Sequence, residues 1–167
     1  MNVALFATIW IALACLVAAE LGRRPRRGRE TGARWAWGVS CAGLVACGVH
    51  IAIAMLHRHG GSHAAAVLET ARQTDAVYGV AWGGGVYVNY AFVALWAVDL
   101  WRWRRRPLAP WLPAARWTLR VVVFVIVLNA AVVFATKGWP LGIVLTAALA
   151  WAWRGGTVAT EPQSSQS

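Results

Sequence analysis

Residues 2–29 read NVALFATIWIALACLVAAELGRRPRRGR, an apolar run that passes directly into a cluster of arginines. The run holds only three polar side chains, those of Asn2, Thr8 and Glu20. A helix of about 20 mainly apolar residues crosses the ~30 Å hydrocarbon core of a bilayer. Because the arginines follow the apolar run and do not precede it, the segment is not typical of a cleavable signal peptide. The stretch therefore predicts a membrane-spanning helix that ends in a charged loop.

The rest of the chain has the same character. Of its 167 residues, 59% are apolar, 12 are Trp and 13% are charged, whereas soluble domains carry about 25% charged residues. This composition excludes a soluble globular enzyme, a disordered chain and a disulfide-stapled secreted domain. It predicts an all-α membrane protein, a bundle of about five transmembrane helices. The predicted spans are 2–21, 35–56, 76–101, 117–136 and 139–153, and residues 155–167 are predicted to form a disordered cytoplasmic tail.

The fifth predicted span is the shortest. It has 15 residues, which is about 22 Å at a rise of about 1.5 Å per residue. Tryptophans at both of its ends are typical of the interfacial belts of membrane proteins. A four-span alternative, in which this segment folds back into the interface, stays open.

The basic residues indicate an orientation, because loops rich in Arg and Lys stay in the cytoplasm. Thirteen of the sixteen lie on one side of the predicted bundle, and only Arg58, Arg72 and Lys137 lie on the other. We therefore predict that the N-terminus is outside and the C-terminus in the cytoplasm. The bias toward Ala, Arg and Trp is typical of a GC-rich bacterial genome, so the predicted location is the bacterial inner membrane. The arginine clusters are interpreted as topology anchors that contact the lipid bilayer, not nucleic acid.

Polar residues inside the spans predict helix interfaces or a binding site, since such groups are costly in hydrocarbon. At about 1.5 Å per residue, His50 and Asn129 lie about 9 Å and about 10 Å below the outer surface, and Asn89 about 20 Å below it. Gly83, Gly84 and Gly85 fall at the depth of His50. They permit either close helix packing, which we favour, or a break in the helix. His50 either donates to a partner such as Asn129 or lines a pocket. The hypothesised outer-leaflet site for a metal ion or small apolar ligand consists of His50, Trp82, Gly83, Gly84, Gly85, Asn89 and Asn129.

All the histidines fall on the predicted outer side. Imidazole is the commonest protein ligand of Zn, Cu and Ni, so a metal ion is the expected cofactor if there is one. Haem is not expected, because bis-His ligation needs a second histidine at similar depth on another span. The alternative interpretation is a solvated loop, in which Ser62 caps a short outer helix over 64–74 that carries a Glu69–Arg72 pair. The candidate metal ligands are His50, His57, His59 and His63.

The reactive side chains do not form a recognisable catalytic set. The sequence contains no apparent Ser-His-Asp set, phosphate-binding loop or paired intramembrane carboxylates. Glu20 and Asp99 lie at cytoplasmic span ends, and we expect them to pair with neighbouring arginines. In size and topology the chain resembles the tryptophan-rich sensory protein (translocator) family, but the Trp-Pro-Pro-type loop of that family is absent, and Pro25 lies between arginines.

The sequence therefore favours a small polytopic inner-membrane protein without catalysis, acting as an accessory or interaction subunit. Its expected partners are the lipid bilayer and either another membrane protein or further copies of itself. The alternatives are an extracytoplasmic-side protein that binds a metal or small ligand through His50 and the outer histidines, and a membrane-embedded enzyme or transporter.

Overall fold

The chain is all-helical. The computed structural model describes residues 3–23, 32–105, 113–129 and 139–154, which contain helices and turns and no strand. Within these residues two helices are both long and apolar enough to cross a bilayer, over Val3–Gly22 and Arg34–His59, and an apolar helix over Trp139–Trp153 is shorter. In chain order the helices are α1 (Val3–Gly22), α2 (Gly32–His59), α3 (His63–Tyr78), α4 (Gly85–Arg105), α5 (Pro113–Leu128) and α6 (Trp139–Arg154).

Four of the five predicted apolar segments coincide with single helices, namely α1, α2, α5 and α6. The end of the fourth segment, over 130–136, lies outside the described residues, as do the arginine loop over 24–31 and the tail over 155–167. The predicted outer helix is also present as α3. Its cap is Ser62, whose side chain accepts from the backbone N–H of Ala65, and its Arg72 and Glu69 form the expected pair at 3.8 Å.

The prediction for 76–101 was wrong, because this segment is not one helix. Helix α3 ends at Tyr78, and Gly79 adopts the left-handed conformation (φ 69°) while its N–H donates to the Asp75 carbonyl. A glycine in this conformation is a common helix C-terminus. The chain then turns and enters α4 at Gly85. Asn89 therefore lies about 6 Å from the start of a new helix, and not in the middle of a long one.

The core lies where α1, α2 and α4 meet. A Cβ added at Gly43 of α2 would lie 2.8 Å from the Cβ of Cys15 and 3.0 Å from the ring of Trp96, so the three helices approach closely only because this residue is glycine. The Trp96 indole N–H donates to the buried Ser40 hydroxyl at 2.9 Å. Small residues of α2 thus pack against its neighbours at Ser40, Gly43 and Cys47, all of which are buried.

Side-chain contacts show which helix ends lie together. The C-terminal half of α4 meets the N-terminal half of α2, because Trp96 bonds to Ser40 and the Trp37 indole donates to the Leu100 carbonyl at 3.3 Å. Trp153 near the end of α6 donates to Glu20 near the end of α1 at 2.8 Å. We call this end of the bundle, formed by the C-termini of α1, α4 and α6 with the N-termini of α2 and α5, the arginine end. The opposite end, which holds His50, α3 and the first turns of α4, is the histidine end.

Candidate functional site

His50 at the histidine end faces α1. Its Nδ1 lies 3.0 Å from the Leu5 carbonyl oxygen and 3.3 Å from the Thr8 hydroxyl. An Nδ1–H donated to that carbonyl would fasten α2 to the first turn of α1. The partner suggested by the sequence, Asn129, is engaged elsewhere. It accepts a hydrogen bond from the Tyr78 hydroxyl at 2.5 Å and donates to the Val125 carbonyl at 2.8 Å.

The three consecutive glycines form the turn into α4 and pack against α3. A Cβ added at Gly83 would lie 2.7 Å from the Val67 carbonyl oxygen, and one at Gly85 would lie 2.9 Å from the Thr70 methyl group. The buried Thr74 hydroxyl accepts the Trp82 N–H at 2.9 Å and lies 2.9 Å from the Trp82 carbonyl oxygen. The favoured interpretation of the glycines, close packing, is therefore confirmed. The break in the helix, which was the alternative, is present as well.

This turn provides a matched pair of substitutions. Gly83→Ala is expected to destabilise the protein by about 1–3 kcal/mol, because the added methyl group overpacks against the backbone of Val67. Gly84→Ala meets only the ring of Trp82, which is half exposed and can swing away, so a change within about 0.5 kcal/mol is expected. Thermal unfolding of the purified variants measures both. Equal losses in the two variants would contradict the close contact at Gly83.

The residues of the hypothesised outer-leaflet site have different neighbours. His50 contacts α1, Trp82 and the glycines form the turn against α3, and Asn129 contacts the end of α3. The Asn89 side chain is exposed on α4. The depth estimate for Asn89 assumed one continuous helix over 76–101, and that assumption does not hold. Whether any of these residues binds a ligand remains a prediction.

A second group at this end joins His63 to two tyrosines that the sequence reasoning did not single out. The Nε2 of His63 lies 3.3 Å from the Tyr87 hydroxyl, and its Nδ1 lies 3.3 Å from the Tyr90 hydroxyl. The rings also contact one another, with centroids 5.4 Å and 5.8 Å from that of His63. The Tyr-x-x-Tyr spacing was the available signal, because residues three apart share a helix face.

The four candidate metal ligands do not form one cluster. His57 and His59 lie in the last turn of α2, while His50 and His63 have the separate partners given above. Across the ranges that the structure describes, no three His, Cys, Asp or Glu side chains come together in a way that could hold a metal ion. His63 and the hydroxyls of Tyr87 and Tyr90 bring three polar groups together at this end.

The arginine end holds a cluster of charged and aromatic side chains, which we call the arginine clamp: Glu20, Arg23, Asp99, Trp103 and Trp153. The Arg23 guanidinium lies 3.2 Å from Glu20, 2.5 Å from Asp99 and 3.8 Å from the centre of the Trp103 ring. The side chains of the two acids are only 17% and 13% exposed. The expected pairing of both acids with an arginine is thus confirmed. Trp153, which was expected to be an interfacial anchor, donates to Glu20, and the Trp103 ring lies against the Arg23 guanidinium.

Comparison with protein-family models, with curated proteins and with solved structures finds no match to this chain. The similarity in size to the tryptophan-rich sensory protein family is therefore not accompanied by a match in sequence or structure.

Proposed function

We propose that this chain is a five-pass inner-membrane protein without catalytic activity, which serves as an accessory or interaction subunit in the bilayer. The observation that carries the proposal is the arginine clamp. It joins the ends of α1, α4 and α6, and Arg120 of α5 lies over the ring of Trp153, 5.6 Å from its centre. These are the helix ends that the distribution of arginines assigns to the cytoplasm. The geometry thus supports the prediction that these helix ends lie on one side of the bilayer, and the charge pattern alone indicates which side.

The outward-facing side chains also support a bilayer as the surroundings. Ile11 of α1, Val45 of α2 and Val144 of α6 are 53%, 66% and 61% exposed. Scattered exposed apolar residues are normal in soluble proteins, but large contiguous apolar surfaces are not. Under the proposal these residues face lipid, where burial of apolar surface in the protein is not required.

The uses of the interior polar groups favour a structural role over catalysis. Ser40 holds α2 to α4, the His50 ring lies within hydrogen-bond distance of α1, and Thr74 fastens the glycine turn to α3. Each contact joins two segments of the bundle. In a bilayer such hydrogen bonds stabilise helix association by about 0.6 to 2 kcal/mol each. Contacts between helices are therefore enough to explain why these polar side chains lie inside the bundle.

Orientation can be tested with a matched pair of cysteines in a variant whose native cysteines are replaced by alanine. Ser62→Cys marks the histidine end and Ser164→Cys marks the tail. A membrane-impermeant maleimide applied to intact spheroplasts is expected to label the first cysteine, and to label the second only after the membrane is permeabilised. Labelling of the tail in intact spheroplasts, or release of the protein by alkaline carbonate, contradicts the proposal.

The subunit role predicts a stable assembly. Protein extracted in mild detergent is expected to elute with a second membrane protein, or with further copies of itself, in a fixed ratio. Chemical cross-linking before extraction should capture the same species. A chain that stays monomeric in the cross-linked membrane argues against a subunit.

The second candidate function is binding of a metal ion or small ligand at the histidine end, and the contact of His63 with two tyrosines favours it. Metal analysis and an optical spectrum of the purified protein separate it from the first. The subunit proposal predicts no stoichiometric metal and no chromophore. A metal or chromophore that is lost in His50→Ala or His63→Ala, with the fold intact, would establish ligand binding. Among the described residues, no specific observation favours the third candidate, an enzyme or transporter.

A further inference from the structure

Two arginines at the end of α4 lie over tryptophan rings. The guanidinium carbon of Arg104 is 5.4 Å from the centre of the Trp37 ring, and that of Arg105 is 5.8 Å from the centre of the Trp101 ring. Both arginines are exposed. Contact with an aromatic face holds a guanidinium in place electrostatically and leaves its N–H edge open to other partners.

The charge of this pair is not neutralised within the described part of the chain. Neither arginine forms an ion pair there, and the two acids of the arginine end are bound to Arg23. The Trp37 ring is itself positioned, because its indole N–H donates to the Leu100 carbonyl. The surface is therefore cationic. The Trp37 side chain on it is already fixed in the absence of a ligand.

An apolar strip leads along α4 to these arginines. Leu95, Val98 and Trp101 are 37%, 46% and 61% exposed. Their spacing places them on one helix face with Arg105. From Leu95 to Arg105 the strip is about 15 Å long, at a rise of about 1.5 Å per residue. A ligand that fits both parts has an anionic head and an apolar tail.

We propose that Arg105, beside Trp101, binds the phosphate of an anionic phospholipid whose acyl chain lies along Leu95 and Val98, and that Arg104, held over Trp37 on the neighbouring face, adds positive charge to the same surface. The inference rests on the proposed function, since it places this end of α4 at the cytoplasmic leaflet. A guanidinium matches a phosphate because it offers a planar fork of N–H donors. The apolar strip favours a lipid, because free phosphate has no apolar part that could contact the strip.

The test compares lipid retention by three forms of the full-length protein in detergent. Wild type, Arg104→Gln/Arg105→Gln and Arg58→Gln/Arg72→Gln are each incubated with equimolar phosphatidylglycerol and phosphatidylcholine, and bound lipid is counted by native mass spectrometry. The second pair is the matched control, because it removes the same charge from exposed positions at the other end. Wild type is expected to prefer phosphatidylglycerol, and the Arg104/Arg105 variant to lose about fivefold in this preference for each arginine removed. The control variant should keep the preference.

Any of three results of the lipid comparison would overturn the inference: no preference for phosphatidylglycerol in wild type, a preference that survives in the Arg104/Arg105 variant, or an equal loss in the control variant. Displacement of the lipid by millimolar inorganic phosphate would show a site for free anions and would also overturn it. The Arg104→Lys/Arg105→Lys variant keeps the charge and serves as a control for misfolding. It is expected to retain part of the preference for phosphatidylglycerol. Because retention in detergent does not depend on orientation, failure here is distinct from failure of the cysteine-labelling test.

Discussion

Replacing Arg23 with alanine is expected to lower the free energy of unfolding by about 3–5 kcal/mol. The substitution leaves the carboxylates of Glu20 and Asp99, both largely removed from solvent, without the guanidinium that lies between them. It also removes the cation from the face of the Trp103 ring. Removing one partner of a largely buried ion cluster costs more than the cluster itself contributes, because the remaining carboxylates lose part of the charge that compensates them. Chemical or thermal denaturation in detergent measures the loss.

The control for this prediction is Arg72→Ala. Arg72 also pairs with a carboxylate, but at 3.8 Å and with 70% of its side chain exposed. Exposed pairs of this kind contribute about 0–1 kcal/mol, so the control variant should unfold close to wild type. Similar stability of the Arg23 and Arg72 variants would mean that the arginine clamp does not hold α1 against α4.

Gly43→Leu is expected to destabilise the bundle by about 3 kcal/mol or more. Every atom beyond the backbone at this position enters space occupied by Cys15 of α1 and the Trp96 ring of α4. Relief requires that the helices separate, and separation pulls the Trp96 indole away from the Ser40 hydroxyl. Both overpacking and a broken buried hydrogen bond then contribute to the loss.

Gly48 supplies the matched control, because it lies on the same helix and a Cβ added there meets nothing within 4 Å. Gly48→Leu is expected to be neutral, or to stabilise by up to about 1 kcal/mol through its higher helix propensity. Melting temperatures of the two variants in one detergent give the comparison directly. If Gly48→Leu lost as much stability as Gly43→Leu, close packing at Gly43 would not be the cause.

Most helices could be predicted from the sequence, because long apolar runs and the Ser62 cap are local signals. The break between α3 and α4 was only the less favoured alternative, and the reason is physical. The segment after Asp75 stays apolar through the turn, so composition alone indicates a continuous helix. The decisive features are the left-handed Gly79 and the contact of Thr74 with Trp82. The second of these depends on how the chain folds back, which hydropathy does not encode.

The candidate site was predicted less completely. Phe92, Trp96 and Asp99, spaced four and three residues apart, share the inward face of α4, and all three are buried or partly buried. Trp82 lies outside this helix, because α4 begins at Gly85, and Asn89 in its second turn is exposed. The direction of His50 was not predictable either, since α2 carries small residues on several faces and any of them admits a neighbouring helix.

The helices differ in length, and a bilayer would respond to that difference. Helix α2 has 28 residues and α6 has 16, about 42 Å and about 24 Å at a rise of about 1.5 Å per residue. The apolar part of α2, over 35–56, is about 33 Å long and slightly exceeds the ~30 Å hydrocarbon layer, whereas α6 is shorter than that layer. Under the proposed function, α2 accommodates by tilting, and the lipid beside α6 thins to meet it. Lipids with longer acyl chains would therefore fit α2 better and α6 worse, and lipids with shorter acyl chains would do the reverse.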